Sequence, residues 1–341
     1  MWPITTLSKL KQHFRFFSKY AVTCPGQGLY RNGVLELVKT QKPLFQRYLD
    51  ELDAALNCKF SDKLFANSSE TEAKQWLNKT SNAQPAILAS TCILSNLVET
   101  EHQISIINNA SYLLGHSLGE YTALVLSGII DFTTGIKVVR RRGQLMEDLC
   151  LGQNYGMIAL LIKPKFAKEV IELAQEHNVL GNINSNYQIV ISGEITKLKE
   201  FIDILRKIQK MALIKAVQLP VSIPFHSEIL KPVVPELKLL LDGALNDQNI
   251  PIISNLNGQV SYEKESTIRN ILEANYQPVQ WQKSIAYLEN SPVSTIFNLG
   301  PGEALHGINK KYNVKSVSLD DVKSLDKNSE FMELKQQLKQ N

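Results

Sequence analysis

The pentapeptide Gly115-His116-Ser117-Leu118-Gly119 carries the clearest chemical content of this chain. It fits G-x-S-x-G, in which a serine hydroxyl stands on a sharp turn between a strand and a helix. The glycines serve a steric purpose, because side chains flanking the serine would collide with the neighbouring strand and helix. A serine so placed lies at a helix N-terminus, where backbone N–H groups can hold a developing oxyanion. The bland reading of the same residues is a glycine-rich turn with an idle hydroxyl. A catalytic serine needs a base, and the chain offers His13, His102, His116, His177, His226 and His306. His13 lies in a basic leader-like stretch, His102 and His177 sit at polar helix ends, and His116 adjoins the serine but points elsewhere in a turn of this kind. His226 follows a Pro-interrupted extended segment and His306 follows Gly300-Pro301-Gly302, so both are loop residues near strand ends. The residues alone leave these two open. Arg140-Arg141-Arg142, taken alone, reads as a basic helix end favoured by the macrodipole.

These groups must be positioned by elements, and the apolar periodicity supplies them. From residue 20 onward, short apolar runs bounded by Gly and Pro alternate with stretches of helical period, which predicts an α/β protein. A first strand is expected at Tyr20 to Cys24, ending in the tight loop Pro25-Gly26-Gln27-Gly28 at the strand end where α/β sheets place their sites. Helical patterns follow at about 32–56 and 84–99. A strand near Ser111 to Leu114 then runs directly into the pentapeptide and a helix from Glu120. Residues 150–215 form a second unit, with strands at Met157 to Ile162, at Gln188 to Ser192 and near Ala216, and helices at about 165–177 and 196–210. This βαββαβ-like order predicts a small ferredoxin-like subdomain. The chain then returns to the first domain, with strands near Ile252 and at Ser294 to Asn298.

Composition narrows the function classes. With 341 residues, 37 Lys plus Arg, 33 Asp plus Glu and 44% hydrophobic residues, the usage is that of a globular protein and excludes disorder and collagen. Cys24, Cys58, Cys92 and Cys150 form no C-x-x-C pair, so they read as reduced thiols without a disulfide framework or zinc site. No apolar run approaches the length of a membrane span. Residues 1–19 hold Lys9, Lys11, Arg15 and Lys19 but no acid, the first being Glu36, and place Leu7, Leu10, Phe14 and Phe17 at spacings of three and four. That is the acid-poor amphipathic pattern of an organellar import segment, with the mitochondrial matrix as the expected address. Without those four cations the charges balance, which leaves no basic excess for nucleic acid.

Five motifs, in order over residues 20–315, resemble those of a known family, the malonyl-CoA:acyl-carrier-protein transacylases of fatty-acid synthesis. Pro25-Gly26-Gln27-Gly28 resembles the opening loop of the family and Gly115-His116-Ser117-Leu118-Gly119-Glu120-Tyr121 its nucleophile motif. Arg142-Gly143, 25 residues after the serine, is similar to its arginine motif, Pro224-Phe225-His226-Ser227 to its histidine motif, and Asn298-Leu299-Gly300-Pro301-Gly302 to its closing loop. The resemblance implies a large α/β-hydrolase-like domain with a parallel sheet over 20–149 and 216–325, the ferredoxin-like subdomain over 150–215, and a polar, loosely attached tail over 326–341.

By the same resemblance Ser117 becomes O-malonylated, His226 rather than His306 is the base, and the backbone carbonyl of Gln280 orients its imidazole. The N–H groups of Gln27 and Leu118 form the oxyanion hole. Arg142 holds the free malonyl carboxylate through its planar fork, and Phe225 crowds out an α-methyl group. Arg140, Arg141, Lys310 and Lys311 are candidate contacts for CoA phosphates and an acidic partner. The implied partners are malonyl-CoA and an acyl carrier protein bearing phosphopantetheine, met by a free-standing monomer, and no metal or redox cofactor is implied. The chain departs from the family at Gly28-Leu29-Tyr30, where Gly-Ser-Gln is common. The competing readings are an α/β-type serine hydrolase, which expects an acid between serine and histidine, and a non-catalytic carrier-binding scaffold.

Overall fold

Two sheets carry the fold in the computed structural model, which describes residues 19–27, 34–65, 70–320 and 322–339. Nearly all of the expected import segment, together with Gly28-Leu29-Tyr30, lies outside those residues. The larger sheet is built from β1 (Lys19–Cys24), β2 (Tyr112–Gly115), β7 (Ile252–Ile253), β8 (Val260–Ser261), β9 (Val293–Asn298) and β10 (Lys315–Ser318). Its order is β10-β9-β1-β2-β7-β8, parallel except for the β7–β8 pair. Tyr20 to Cys24 are all buried, as a strand with helices on both faces requires, which is why that run is apolar without alternation.

The helices of this domain are α1 (Lys42–Leu56), α2 (Glu70–Asn78), α3 (Thr80–His102), α4 (Gly119–Leu126) and α5 (Phe132–Cys150), and later α8 (Val234–Leu241), α9 (Lys264–Ala274), α10 (Trp281–Glu289), α11 (Ala304–Asn309) and α12 (Ser329–Lys339). Helix α3 is buried on nearly every face, while α5 is capped by Asp131, whose side chain accepts the Thr134 N–H at 2.6 Å. The two cross closely at Gly143, where a Cβ would come within 2.4 Å of the Ser81 Cα. The glycine after Arg142 is thereby explained by packing.

The smaller sheet holds β3 (Tyr155–Ile162), β4 (Leu180–Ser185), β5 (Gln188–Glu194) and β6 (Leu213–Gln218), antiparallel in the order β4-β5-β3-β6. Helices α6 (Ala167–Glu176) and α7 (Ile195–Ile208) complete the βαββαβ unit. Its strands alternate with period two. Ile158, Leu160, Ile189 and Ile191 face the core shared with Val170, Leu198 and Phe201, whereas Met157, Ala159 and Val190 turn the other way and pack with the large domain.

Two boundaries differ from the sequence reading. The unit ends at Gln218, because β6 continues past residue 216 and stays paired with β3 up to Gln218. The segment expected as a loose polar tail instead forms α12, with Phe331 and Leu334 buried in the main core and Lys335 bonded to Asp326 at 3.1 Å. Phe331 at 0% exposure contributes about 2–3 kcal/mol of apolar burial, enough to dock an otherwise polar helix. Among the described residues, no helix is long and apolar enough to cross a membrane.

Candidate active site

Strand β2 ends at Gly115 and α4 begins at Gly119, so the chain reverses within four residues. A Cβ on Gly115 would lie 1.8 Å from the Gly119 carbonyl carbon, and one on Gly119 would lie 2.2 Å from the Cys24 oxygen. Only glycine permits both approaches. Between them Ser117 adopts φ 54°, a left-handed conformation unfavourable for a residue with a side chain. Asn255, just beyond β7, holds it there. The Asn255 Oδ1 accepts the Ser117 N–H at 2.7 Å, its Nδ2 donates to the Gly115 carbonyl, and its own N–H donates to Glu120 Oε1 at 2.8 Å. Glu120 is buried, and loss of hydration pushes its carboxyl up to about 8 against the opposing pull of the Asn255 N–H and the Arg142 charge.

His226 also adopts a left-handed φ, 61°, and the preceding Phe225 carbonyl is anchored to the small sheet by the Ser192 hydroxyl at 2.6 Å. Its Nδ1 lies 2.8 Å from the Ala274 carbonyl oxygen and its Nε2 lies 2.7 Å from Ser117 Oγ. A carbonyl can only accept, so Nδ1 carries the proton and the Nε2 lone pair faces the serine O–H. That is the tautomer a general base requires. Burial, reinforced by the Arg142 charge, lowers the imidazole to about 3, which keeps it neutral and ready to accept a proton.

The orienting carbonyl therefore belongs to Ala274, not Gln280. The Gln280 carbonyl opens α10 by accepting the Ser284 N–H at 3.1 Å, and its N–H donates to the Asn255 carbonyl. A main-chain acceptor has no side-chain signature, so selecting a residue by type misplaces it. The physical requirement is a free carbonyl at the end of a helix, and Ala274 closes α9. His306 lies on α11 with its Nδ1 2.9 Å from Ser316 Oγ, away from the serine. His116 turns across the cleft to Asn184 Oδ1 at 2.9 Å.

Three consecutive arginines have three fates. Arg140 donates to the Ser81 carbonyl at 2.7 Å and to Asn82 Oδ1, and Arg141 pairs with Glu236 on the surface. Arg142 is 2% exposed, with its Cζ 5.1 Å from the centre of the Tyr121 ring and its Nε bonded to Asn275 Oδ1 at 2.7 Å. No carboxylate forms an ion pair with it among the described residues. Lys310 and Lys311 are exposed at the end of α11.

These groups meet at a cavity of about 230 Å³ between the two sheets. Ser117, His226, Arg142, Phe225 and the loop residue Gln27 line one side, and β3, β4 and β5 line the other through residues such as Met157, Asn184 and Val190. Among the described residues, no loop or turn hydrogen bond uses the N–H of Gln27 or of Leu118, and both residues border the cavity beside Ser117. The arrangement can deprotonate a serine, receive an oxyanion and fix an anionic group in one enclosed space. Sequence reasoning missed Asn255, Ala274, Asn275, Asn184 and the buried Glu120. For Asn255 a signal exists, an amide two residues beyond the apolar Ile252-Ile253 at a strand's carboxyl end; for Ala274 there is none.

The chain is similar to known proteins in sequence and in fold. The family profile of the acyl transferase domain matches residues 22–301. The malonyl CoA-acyl carrier protein transacylase of Bacillus subtilis is 34% identical over 317 residues, covering 91% of this chain and 96% of that protein. The crystal structure of malonyl-CoA:acyl carrier protein transacylase from Helicobacter pylori superposes with a TM-score of 0.82 at 27% identity, covering 93% of this chain and 99% of that one. A malonyl-transacylase solved in complex with a type II polyketide synthase acyl-carrier protein has a TM-score of 0.79 at 27% identity, covering 95% and 100%. The chain belongs to the acyl transferase domain family and, within it, to the malonyl CoA-acyl carrier protein transacylases.

Proposed function

We infer that the chain moves a malonyl group from malonyl-CoA to the phosphopantetheine thiol of an acyl carrier protein through a malonyl-serine, supplying type II fatty-acid synthesis. The observation that carries this reading is Arg142, a buried guanidinium with no carboxylate ion-pair partner among the described residues, opening on the cavity that holds the Ser117–His226 pair. A buried cation is costly unless an anion meets it, and the free carboxylate of a malonyl half-thioester supplies that anion.

In the first half-reaction the Ser117 O–H proton passes to His226 Nε2 as Oγ attacks the thioester carbonyl. The oxyanion is received by the N–H groups of Gln27 and Leu118. Collapse expels CoA, whose sulfur takes the proton from His226. In the second half-reaction His226 accepts the proton of the pantetheine thiol, the sulfur attacks the malonyl ester, and the proton returns to Ser117 Oγ. Ala274 holds the ring so that Nε2 stays on the reaction side throughout. Phe225, buried beside His226, limits the space at the α-carbon, a weak discriminator of about 1–3 kcal/mol. All of these groups come from one chain, which favours a monomer as the working unit.

Intact mass of the full chain with malonyl-CoA, then with phosphopantetheinylated carrier, tests the reading against Ser117→Ala. One malonyl group on Ser117 that moves to the carrier is the expected result. An adduct released only to water points to a thioester hydrolase, and no adduct points to a scaffold. The mitochondrial address is a separate proposal, supported by the acid-free amphipathic composition of residues 1–19. Residues 1–25 fused to a fluorescent reporter should localise to mitochondria; diffuse cytosolic signal rejects it.

A further inference from the structure

We propose that Asn275 is the positioning residue that sets the selectivity of Arg142 for a carboxylate-bearing acyl group. This rests on the malonyl-transfer reading above. Asn275 is 2% exposed and caps the C-terminus of α9, where its Nδ2 donates to the Ile271 and Leu272 carbonyls, both at 3.0 Å. The same Nδ2 lies 2.9 Å from the Tyr121 hydroxyl. Those donor contacts fix the amide orientation, so Oδ1 is the atom turned toward Arg142, whose Nε it accepts at 2.7 Å.

The consequence is geometric. With Nε occupied by a neutral acceptor and the guanidinium carbon 5.1 Å from the centre of the Tyr121 ring, the charge is held in place but not neutralised. A carboxylate at position 275 would satisfy the guanidinium internally and displace the substrate's own anion; a side chain without an acceptor would let the fork swing. The neighbouring Ala274 carbonyl orients His226, so two successive residues at one helix end set both the base and the anion clamp.

The experiment compares kcat/KM for malonyl-CoA and acetyl-CoA, with holo carrier as acceptor, in the full chain and in Asn275→Ala and Asn275→Asp. The malonyl-to-acetyl ratio should fall about 10-fold in Asn275→Ala and about 100-fold in Asn275→Asp, mostly through the malonyl KM. On an Arg142→Ala background, neither change should alter the ratio more than about 2-fold, since the residue acts through the guanidinium. Parallel loss of both activities with an unchanged ratio would show that Asn275 only packs, and an undiminished ratio effect without Arg142 would show a different route; either overturns the proposal. Should Asn275→Ala fail to fold, the near-isosteric Asn275→Asp still decides the point. A wild-type ratio near one would overturn the malonyl reading itself, whereas a high ratio insensitive to position 275 overturns only this inference.

Discussion

The two walls of the cavity are built on opposite rules. On the side of the parallel sheet, Ser117 and His226 both sit in left-handed conformations and Arg142 is buried without an ion-pair partner among the described residues. That wall stores backbone strain and unpaired charge, and a dense set of hydrogen bonds from Asn255, Ala274 and Asn275 holds it. On the side of the antiparallel sheet, Met157, Ala159 and Val190 present apolar side chains in plain period-two alternation, with Asn182, Asn184 and Gln188 as neutral amides. The difference teaches where chemistry can be housed. The carboxyl ends of parallel strands bring loops and helix ends together, whose free N–H and C=O groups can be aimed at a reacting atom. An antiparallel ladder uses its backbone groups internally and offers shape and amide contacts instead.

The sharpest way to break this division is a paired substitution. His226→Ala should slow acylation of Ser117 by about 10³–10⁴-fold, because the serine loses its proton acceptor. Asn184→Ala, on the opposite wall, should slow it by about 10-fold or less, since it removes a contact to His116 and leaves the Ser117–His226 bond intact. Stopped-flow or quenched mass measurement of the first half-reaction reads both. Equal losses would mean that the small sheet takes part in the chemistry.

A second test concerns pH. Catalysis needs neutral His226, whose imidazole is lowered to about 3 by burial and by the Arg142 charge. Activity is therefore retained as pH falls below the ordinary histidine value of about 6.5 and is lost only toward the folded value. The acylation rate of Ser117 with a neutral sulfonyl fluoride should stay flat from pH 7 to pH 5. An acid limb centred near 6.5 would contradict a dry, cation-flanked base. The linkage runs in the same window: below about 6.5 the unfolded chain gains a proton that the folded site refuses, so this group's contribution to stability declines as pH falls toward about 3. Arg142→Ala, which removes one cause of the depression, should move the acid limb upward.

How legible this was in the sequence divides along the same line. The G-x-S-x-G turn is written in steric necessity, so Gly115, Ser117 and Gly119 could be read directly, and the short apolar runs at Met157 to Ile162 and Gln188 to Ser192, buried on both faces, marked two strands of the small sheet. Strand β4 was harder, because Gly181-Asn182-Ile183-Asn184-Ser185 lacks the β-branched density of its neighbours and owes its place to pairing with β5 and a bridge to Val279. The residues alone could not choose between His226 and His306, since both follow loops; the fold decides by placing one 2.7 Å from the serine and the other against β10. Ala274 was beyond reach because it acts through its main chain. Helix α12 was misjudged because its average polarity hides Phe331 and Leu334 at a helical spacing of three.

The smallest expected effect discriminates most finely within the charged wall. If burial keeps Glu120 largely protonated at neutral pH, with its value pushed up to about 8, then Arg142 meets no competing anion there. Glu120→Gln replaces a neutral acid by a neutral amide whose oxygen can still accept the Asn255 N–H, so malonyl transfer at pH 7 should change by less than about 3-fold. Above pH 8 the two should separate. The wild-type carboxyl ionises within Coulombic reach of Arg142 and competes with the substrate carboxylate, which raises the malonyl KM, while the Gln variant stays flat. Stability follows the opposite acid rule. Between about 4.5 and 8 the unfolded chain releases a proton that the folded carboxyl retains, so the wild type loses stability as pH rises through that window. Melting temperatures at pH 5 and pH 8 should show the variant gaining on the wild type at the higher pH. A loss of malonyl transfer beyond about 10-fold at pH 7, with acetyl transfer retained, would mean that Glu120 is ionised and helps hold the Arg142 fork, and the wall would then carry a paired charge rather than an open one.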